Sequence, residues 1–292
     1  MSKRLTSLIA AAVLLIHWGC NKDPYMPDTP PAYVELINNV NTYGKDNDND
    51  PALNSIKIMT YNIHAAVPPG SPGTVNIAAI AKVITDEDPD IVFLQEVDKN
   101  TGRNGYTKDQ SAELGTLTKM NVAYFSAINY MKGFYGVAIL SKYPMSQIRK
   151  QLLPKGNAAE EQRVLGLAQV DLPGKDSLLA LATHLQHDND ATRLLQIKEL
   201  VNVASSFTIP MVMGGDLNER PSATEFINIL DGAFTRTCTT CPNTFPASNA
   251  TAVIDYLAYK PAARYSVVNH KTIMETFASD HLPVVSELKI NR

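Results

Sequence analysis

The sequence predicts an α+β or α/β fold arranged as a four-layer sandwich, in which two packed mixed β-sheets are flanked by helices. Ten short runs rich in Val, Ile and Leu follow one another from residue 56 onward, more strands than a simple twisted sheet readily holds. Four stretches of helical periodicity are interspersed among them, and amphipathic helices need a sheet face to cover. No internal repeat or shift of composition divides residues 55–292, so sheets and helices are expected to share one domain.

Taken in order, the chain opens with Lys3 and Arg4, an apolar run from Leu8 to Ile16, and Gly19-Cys20. A basic head, a short apolar core and a small residue before the break read as an export signal over residues 1–19. The run is too short to span a bilayer, which takes roughly 20 helical residues. Gly19-Cys20 resembles the end of a bacterial lipoprotein signal. That resemblance implies a lipidated Cys20, membrane attachment, and a place in the periplasm or at the outer membrane or cell surface. Residues 20–54 are rich in Pro, Asn and Asp with little apolar periodicity, and read as a flexible tether that includes a short helical pattern at 33–40. Asp46-Asn47-Asp48-Asn49-Asp50 spaces its oxygens like a calcium loop. The next position must turn sharply and is normally Gly, but here it is Pro51, so the run reads as solvated linker.

From residue 55 to 292 lies the folded domain. Its Val-, Ile- and Leu-rich runs predict strands at 56–61, 91–95, 122–126, 137–141, 165–170, 178–184, 211–215, 253–256, 265–268 and 284–288. Apolar residues at helical spacing predict helices at 75–85, 110–117, 191–204 and 224–230. The third of these is expected to bury Leu194, Leu195, Ile197, Leu200 and Val201 along one broad face.

The net charge of −3 becomes −5 once the signal, with its two basic and no acidic residues, is removed. A mildly acidic protein without a basic, aromatic-studded stretch is a poor generic binder of long nucleic acid. Beyond Cys20 the cysteines are Cys238 and Cys241, in Cys-Thr-Thr-Cys. Export favours a disulfide there, and no further zinc ligands lie nearby in sequence, so the pair reads as a loop staple. No stable protein partner is evident, and a monomer is expected.

Polar residues recur where the apolar strands end. Asn62 and His64 follow the first strand, Gln95-Glu96 the second, and Thr183-His184 precedes the long helix. Gly214-Gly215-Asp216-Leu217-Asn218 closes another strand, Asp255 lies inside one, and Ser279-Asp280-His281 opens the last. Any one of these is an ordinary turn or cap residue. Six sets beside six apolar strands strain that explanation.

Tyr61-Asn62-Ile63, Leu94-Gln95-Glu96-Val97, Thr183-His184-Leu185, Gly215-Asp216-Leu217-Asn218, Asp255-Tyr256 and Ser279-Asp280-His281 together resemble the ordered signatures of the endonuclease/exonuclease/phosphatase superfamily. The resemblance covers residues 56–290. It implies an exported hydrolase of phosphoester bonds, dependent on Mg²⁺ or Mn²⁺. Such a catalyst must offset the anionic phosphate, supply a deprotonated water and assist the leaving oxygen. Glu96 suits a direct ligand, because a hard cation prefers carboxylate oxygens and retains several waters. By resemblance, Asn62 and Asp280 help hold the metal or the phosphate. Asp216 and Asn218, two apart on extended backbone, would face one side, Asp216 activating water and Asn218 donating to a phosphoryl oxygen. The resemblance also makes His184 and His281 a two-histidine clamp on the phosphate, with Asp255 orienting His281. Gly214 and Gly215 would let the ligand approach closely, and Tyr135 has two readings, pocket lining and packing, of which packing is the commoner. Where some members of the superfamily carry an acid two places after the strand-end Asn, this chain has His64.

Two rivals are a non-catalytic surface-binding lipoprotein that keeps the fold, and an exported glycosidase using Glu96 and Asp216 as paired carboxylates. The first is expected to have lost one of Glu96, Asp216, Asn218 or His281, and all are present. The second leaves Asn218, Asp255 and Asp280-His281 without a task. Export makes nutrient phosphoesters, lipid head groups and extracellular DNA all reasonable substrates. Residues 65–74 and 154–161 are the loops expected to rim the cleft.

Overall fold

The computed structural model describes residues 35–37, 42–44 and 48–292. The export signal, Cys20 and most of the tether lie outside the described residues. Within the tether, the helical pattern at 33–40 gives way to a three-residue strand, β1 (Glu35–Ile37), paired antiparallel with the edge of the first sheet. Tyr43 is also docked on the domain, exchanging backbone hydrogen bonds with the Asn121 side chain at 3.1 and 2.6 Å.

Two strand–helix–strand units carry the architecture. The first runs from β2 (Ser55–Asn62) through α1 (Ile77–Glu87) to β3 (Ile91–Lys99). It is followed by α2 (Gln110–Thr118), β4 (Asn121–Tyr130), β5 (Gly133–Ser141), β6 (Met145–Leu152) and β7 (Val164–Leu172). The second unit runs from β8 (Asp176–His184) through α3 (Asp190–Ser205) to β9 (Met211–Asp216). The chain finishes with α4 (Thr224–Ala233), β10 (Thr235–Arg236), β11 (Asp255–Lys260), β12 (Tyr265–Thr272) and β13 (Val284–Ile290). Side-chain caps start three of the helices: Asn76, Asp109 and Asn189 accept the orphan N–H groups of Ala79, Ala112 and Thr192.

One sheet has the order β1-β4-β5-β3-β2-β13-β12 and the other β10-β11-β9-β8-β7-β6. Within each, one pair is parallel, β2 with β3 and β8 with β9, and the remaining pairs are antiparallel. Period-two alternation sorts the apolar residues into three layers. On β2, Ile56 and Ile58 point between the sheets, while Met59 and Tyr61 point beneath α1 and α2. On β8, Ala180 and Ala182 point between the sheets, and Leu179 and Leu181 lie beneath α3 and α4. The result is the expected sandwich of helices, sheet, sheet and helices.

All ten predicted strands and all four helices are present, with shifted ends. The strand expected at 253–256 runs instead from Asp255 to Lys260. β6 was not predicted, because its polar Gln147, Arg149 and Lys150 interrupt the apolar pattern of an edge strand that carries a bulge. The buried face of α3 is Arg193, Gln196, Ile197, Leu200 and Ala204 rather than a purely apolar one. Gln196 accepts from the N–H of Gln186 and donates to the Pro154 carbonyl, and Arg193 donates to the carbonyls of Gln186 and His187. These polar residues therefore pin the loop that leaves β8. Cys238 and Cys241 are joined by a disulfide, as expected. Among the described residues, no helix is long and apolar enough to cross a membrane.

Candidate active site

The topology brings the polar strand ends to one place. β2, β3, β8 and β9 point their carboxyl ends toward the same edge of the sandwich, and β11 and β13, antiparallel to β9 and β2, begin there. Ligands of open α/β sheets lie outside the carboxyl ends of parallel strands, where backbone polar groups emerge from the ladder.

Asn62 closes β2 and links the two sheets. Its Nδ2 donates to Glu96 Oε1 and to Asp216 Oδ2, both at 3.0 Å, while its Oδ1 accepts from the His64 N–H at 3.1 Å. Its backbone carbonyl accepts from the Ser279 hydroxyl at 2.7 Å, which ties the Asp280-His281 segment to the same spot. Glu96 sits where the β3–β5 register slips between Leu94 and Val97, with φ of 58°. A bulge of this kind re-aims one side chain out of the ladder, and left-handed backbone at a non-Gly residue costs on the order of 1–3 kcal/mol, a strain typical of functional positions. Among the described residues, no Lys or Arg pairs with Glu96.

Asp216, at the end of β9, is buried at the centre of the site. Its Oδ2 lies 3.4 Å from His184 Nε2 and 3.8 Å from His281 Nε2, and its Oδ1 accepts from the Asn218 N–H at 2.9 Å. On the other side of its ring, His281 Nδ1 is 3.0 Å from Asp255 Oδ2. The Phe245 ring packs on the His281 ring with centroids 4.7 Å apart. His281 therefore lies between two carboxylates. Burial alone would lower its pKa, but Asp255 and Asp216 outweigh that and raise it to about 10. Asp216 moves up to about 7, first through burial and then through the Asp255 charge, with His281 and Asn62 opposing. His184 goes the other way, held well below its usual range by burial and then by Arg163 and His281. One imidazole of the pair is thus cationic near neutral pH and the other is neutral.

The expected residues are not all disposed as extended strands would place them. Asn218 lies beyond β9 with φ of 52°, and its Nδ2 donates to the Leu185 carbonyl at 3.0 Å. Asp280 is 32% exposed, with His64 Nδ1 at 4.0 Å. Gly214 and Gly215 serve packing. A Cβ on Gly214 would stand 2.3 Å from the Phe93 ring across the sheets, and one on Gly215 would stand 2.5 Å from the Thr183 carbonyl oxygen of the neighbouring strand.

One residue at the site went unrecognised in the sequence, Arg163, and another, Tyr135, was weighed but not chosen. Tyr135 lines a small cavity with Arg163 and His184. Arg163 is buried, with Nη1 2.9 Å from Glu161 Oε1 and Nε 3.4 Å from Gln186 Oε1. An Arg flanked by Gln and Val carries no spacing signal, so only the tertiary contact with His184 singles it out.

Glu96 and Asp280 are partly exposed carboxylates of the kind a divalent cation prefers. Glu96 and Asp280 offer hard oxygens beside Asn62, and neither is neutralised by a Lys or Arg among the described residues. Asp216, Asp255 and His281 also lie close enough together to hold an ion. A protonated His281 bonded to Asp255 has no lone pair to give, so that trio suits a proton network better.

Comparison with known proteins bears on the fold and the family. The structure resembles an endonuclease/exonuclease/phosphatase from Beutenbergia cavernae, at 25% identity and a TM-score of 0.69, over 82% of this chain and 72% of that one. It also resembles a mannosyl-6-phosphatase of Bacteroides thetaiotaomicron, at 16% identity and a TM-score of 0.63, over 80% and 99% of the two chains. The human Nocturnin catalytic domain with bound sulfate matches at 16% identity and a TM-score of 0.61, over 82% and 97%. At these lower identities the likeness speaks to fold alone. A search among curated proteins finds no match. Residues 59–281 match the family model described as the endonuclease/exonuclease/phosphatase family, and the chain belongs to that family of phosphoester hydrolases.

Proposed function

We propose that the protein hydrolyses phosphoesters with the help of a divalent cation, Mg²⁺ or Mn²⁺, held by Glu96 and Asp280 beside Asn62. The observation that carries this reading is the convergence on Asp216. Asn62, His184 and His281 approach its carboxylate from three other strand ends within 3.0, 3.4 and 3.8 Å. A bound cation would supply charge neutralisation at the phosphate and lower the pKa of a coordinated water.

The chain's own residues then divide the work. Asp216, partly ionised at neutral pH, takes a proton from water as the water oxygen bonds to phosphorus. Protonated His281, held by Asp255, stabilises the charge that develops on the phosphoryl oxygens. Neutral His184 donates a hydrogen bond from the opposite side, and Asn218 completes the turn that fixes Asp216 Oδ1. The ester P–O bond breaks, and the leaving oxygen takes its proton from solvent. The chain's signal-like start supports an exported, membrane-attached enzyme, with Cys20 as the lipidated residue.

The test is a panel of p-nitrophenyl phosphate, bis-p-nitrophenyl phosphate, plasmid DNA, sphingomyelin and inositol phosphates, each with Mg²⁺, Mn²⁺ or EDTA. We expect chelator-sensitive turnover of at least one of them. Glu96→Gln should also weaken the Mg²⁺-induced rise in melting temperature, a readout independent of turnover. Turnover indifferent to EDTA, or none on any substrate, would refute the assignment.

A further inference from the structure

Beside the phosphate-facing residues lies a second, differently built cavity. It measures about 120 Å³ and is lined by Arg103, Ile128, Tyr130, Tyr135 and Glu161. Tyr135 is the wall it shares with the small cavity that contains Arg163 and His184. Arg163 joins the two as well, since it lines the inner cavity and lies 2.9 Å from Glu161 Oε1. An ester substituent leaving a phosphate held at His184 and Asp216 would therefore pass Tyr135 into this cleft.

The cleft is chemically mixed. Arg103 is clamped by Asp98, with Nε–Oδ2 of 2.5 Å and Nη2–Oδ1 of 2.7 Å, and Nη1 has no partner among the described residues. Its guanidinium covers the Tyr130 ring at 4.9 Å and the Tyr135 ring at 5.4 Å. Opposite in charge, Glu161 keeps its Oε1 against Arg163 Nη1 at 2.9 Å, while its side chain as a whole is 35% exposed.

We propose that this cleft is the leaving-group subsite of the same centre and takes a single polyhydroxylated ring, so that the substrate is a sugar phosphate. The inference rests on the phosphoester-hydrolase reading above. A hydroxyl both donates and accepts, which matches a carboxylate and a guanidinium lining one small pocket. The C–H faces of a pyranose suit the tyrosine rings. A nucleobase fits less well: the two rings are tilted by 52° with centroids 6.2 Å apart, so they form no flat slot for a planar base. The acidic net charge likewise disfavours a polynucleotide. Hydrolysis would release the free sugar and inorganic phosphate, with water supplying the new P–O bond.

The test compares mannose 6-phosphate, glucose 6-phosphate, adenosine 5′-monophosphate, bis-p-nitrophenyl phosphate and p-nitrophenyl phosphate, using the full domain with Mg²⁺ or Mn²⁺. A hexose 6-phosphate should exceed the nucleotide in kcat/KM by about tenfold or more, as a site that hydrogen-bonds hydroxyls discriminates. Glu161→Gln and Tyr130→Ala should each lower the ratio of hexose phosphate to p-nitrophenyl phosphate kcat/KM by about tenfold, mainly through KM. Tyr130→Phe, which keeps the ring face, should retain most of that ratio, and circular dichroism should confirm that each variant is folded. A ratio unmoved in both variants, or preference for the nucleotide or the diester, overturns the subsite and leaves the hydrolase reading standing. Failure to turn over any phosphoester overturns both.

Discussion

The residue that organises the site is Asp216, and its neighbours set its proton affinity. With a pKa of about 7 it is partly protonated at neutral pH, and burial is the largest reason. In the base role proposed for it Asp216 must be ionised, so kcat/KM should rise with pH up to roughly that value. In the role proposed for His281 that ring must keep its proton, so activity should fall as pH passes about 10. The expected profile is a bell whose limbs belong to the coupled network rather than to single residues. Asp255→Asn removes the largest charge holding the His281 proton, and the alkaline limb should move to lower pH. A profile unchanged by that substitution would deny His281 its cationic role. Asp216→Asn should cost on the order of 10²–10⁴-fold in kcat, read on whichever substrate the panel identifies.

Among the elements, the strands that face each other across the sandwich limit what the core can accept. Gly214 on β9 meets the Phe93 ring of β3, and Gly166 on β7 meets the Phe125 ring of β4, each closer than a Cβ could tolerate. Gly214→Ala should destabilise the fold by roughly 1–3 kcal/mol through overpacking, measured by urea denaturation. Gly70→Ala, where a Cβ would meet nothing within 4 Å and φ is not positive, should stay within about 0.5 kcal/mol. Equal effects of the two would show that the sheets do not pack closely at Gly214. The bulge at Glu96 and the turn at Asn218 are element-scale features too. Both lift a polar residue out of the regular ladder at positions where period-two reasoning expects plain extended backbone.

Across the whole molecule, Asp216 and His281 meet in a buried place, and stability should register the titration of these two groups. Asp216 is raised above its ordinary 3.8, so the folded state holds that proton more tightly and loses the associated stability as pH climbs from about 4 toward 7. The folded-state pKa of His281 is also raised, so its contribution is full below about 6.5 and is lost as pH rises through about 10. Both terms weaken the cation-free protein as pH increases. The divalent cation proposed at Glu96 and Asp280 would add stability by binding the folded state, so the melting temperature should be higher in Mg²⁺ than in EDTA. At a cation concentration near 100 times Kd the stabilisation is about 2.7 kcal/mol, or roughly 5–10 °C for a domain of this size. A melting temperature equal in Mg²⁺ and EDTA would count against metal binding at the acidic mouth.

By itself the sequence determined the succession of strands and helices, the sandwich that so many strands require, and the polar residue closing each strand. Those features are local: a period of two or of 3.6 residues, a cap, or a polar residue at the end of an apolar run can be read within a few positions. The Cys238–Cys241 staple was legible for the same reason. Only the tertiary structure decided that Asn62 would bridge Glu96 and Asp216, that His281 would lie between two acids while His184 became neutral, and that Arg163, Tyr135 and Arg103 would line the approach. Those properties depend on distances between residues as far as 219 positions apart and on burial that shifts proton affinities. Such spacings leave no periodic trace in the chain. They arise when two strand–helix–strand units pack face to face with the ends of their parallel strands at one edge.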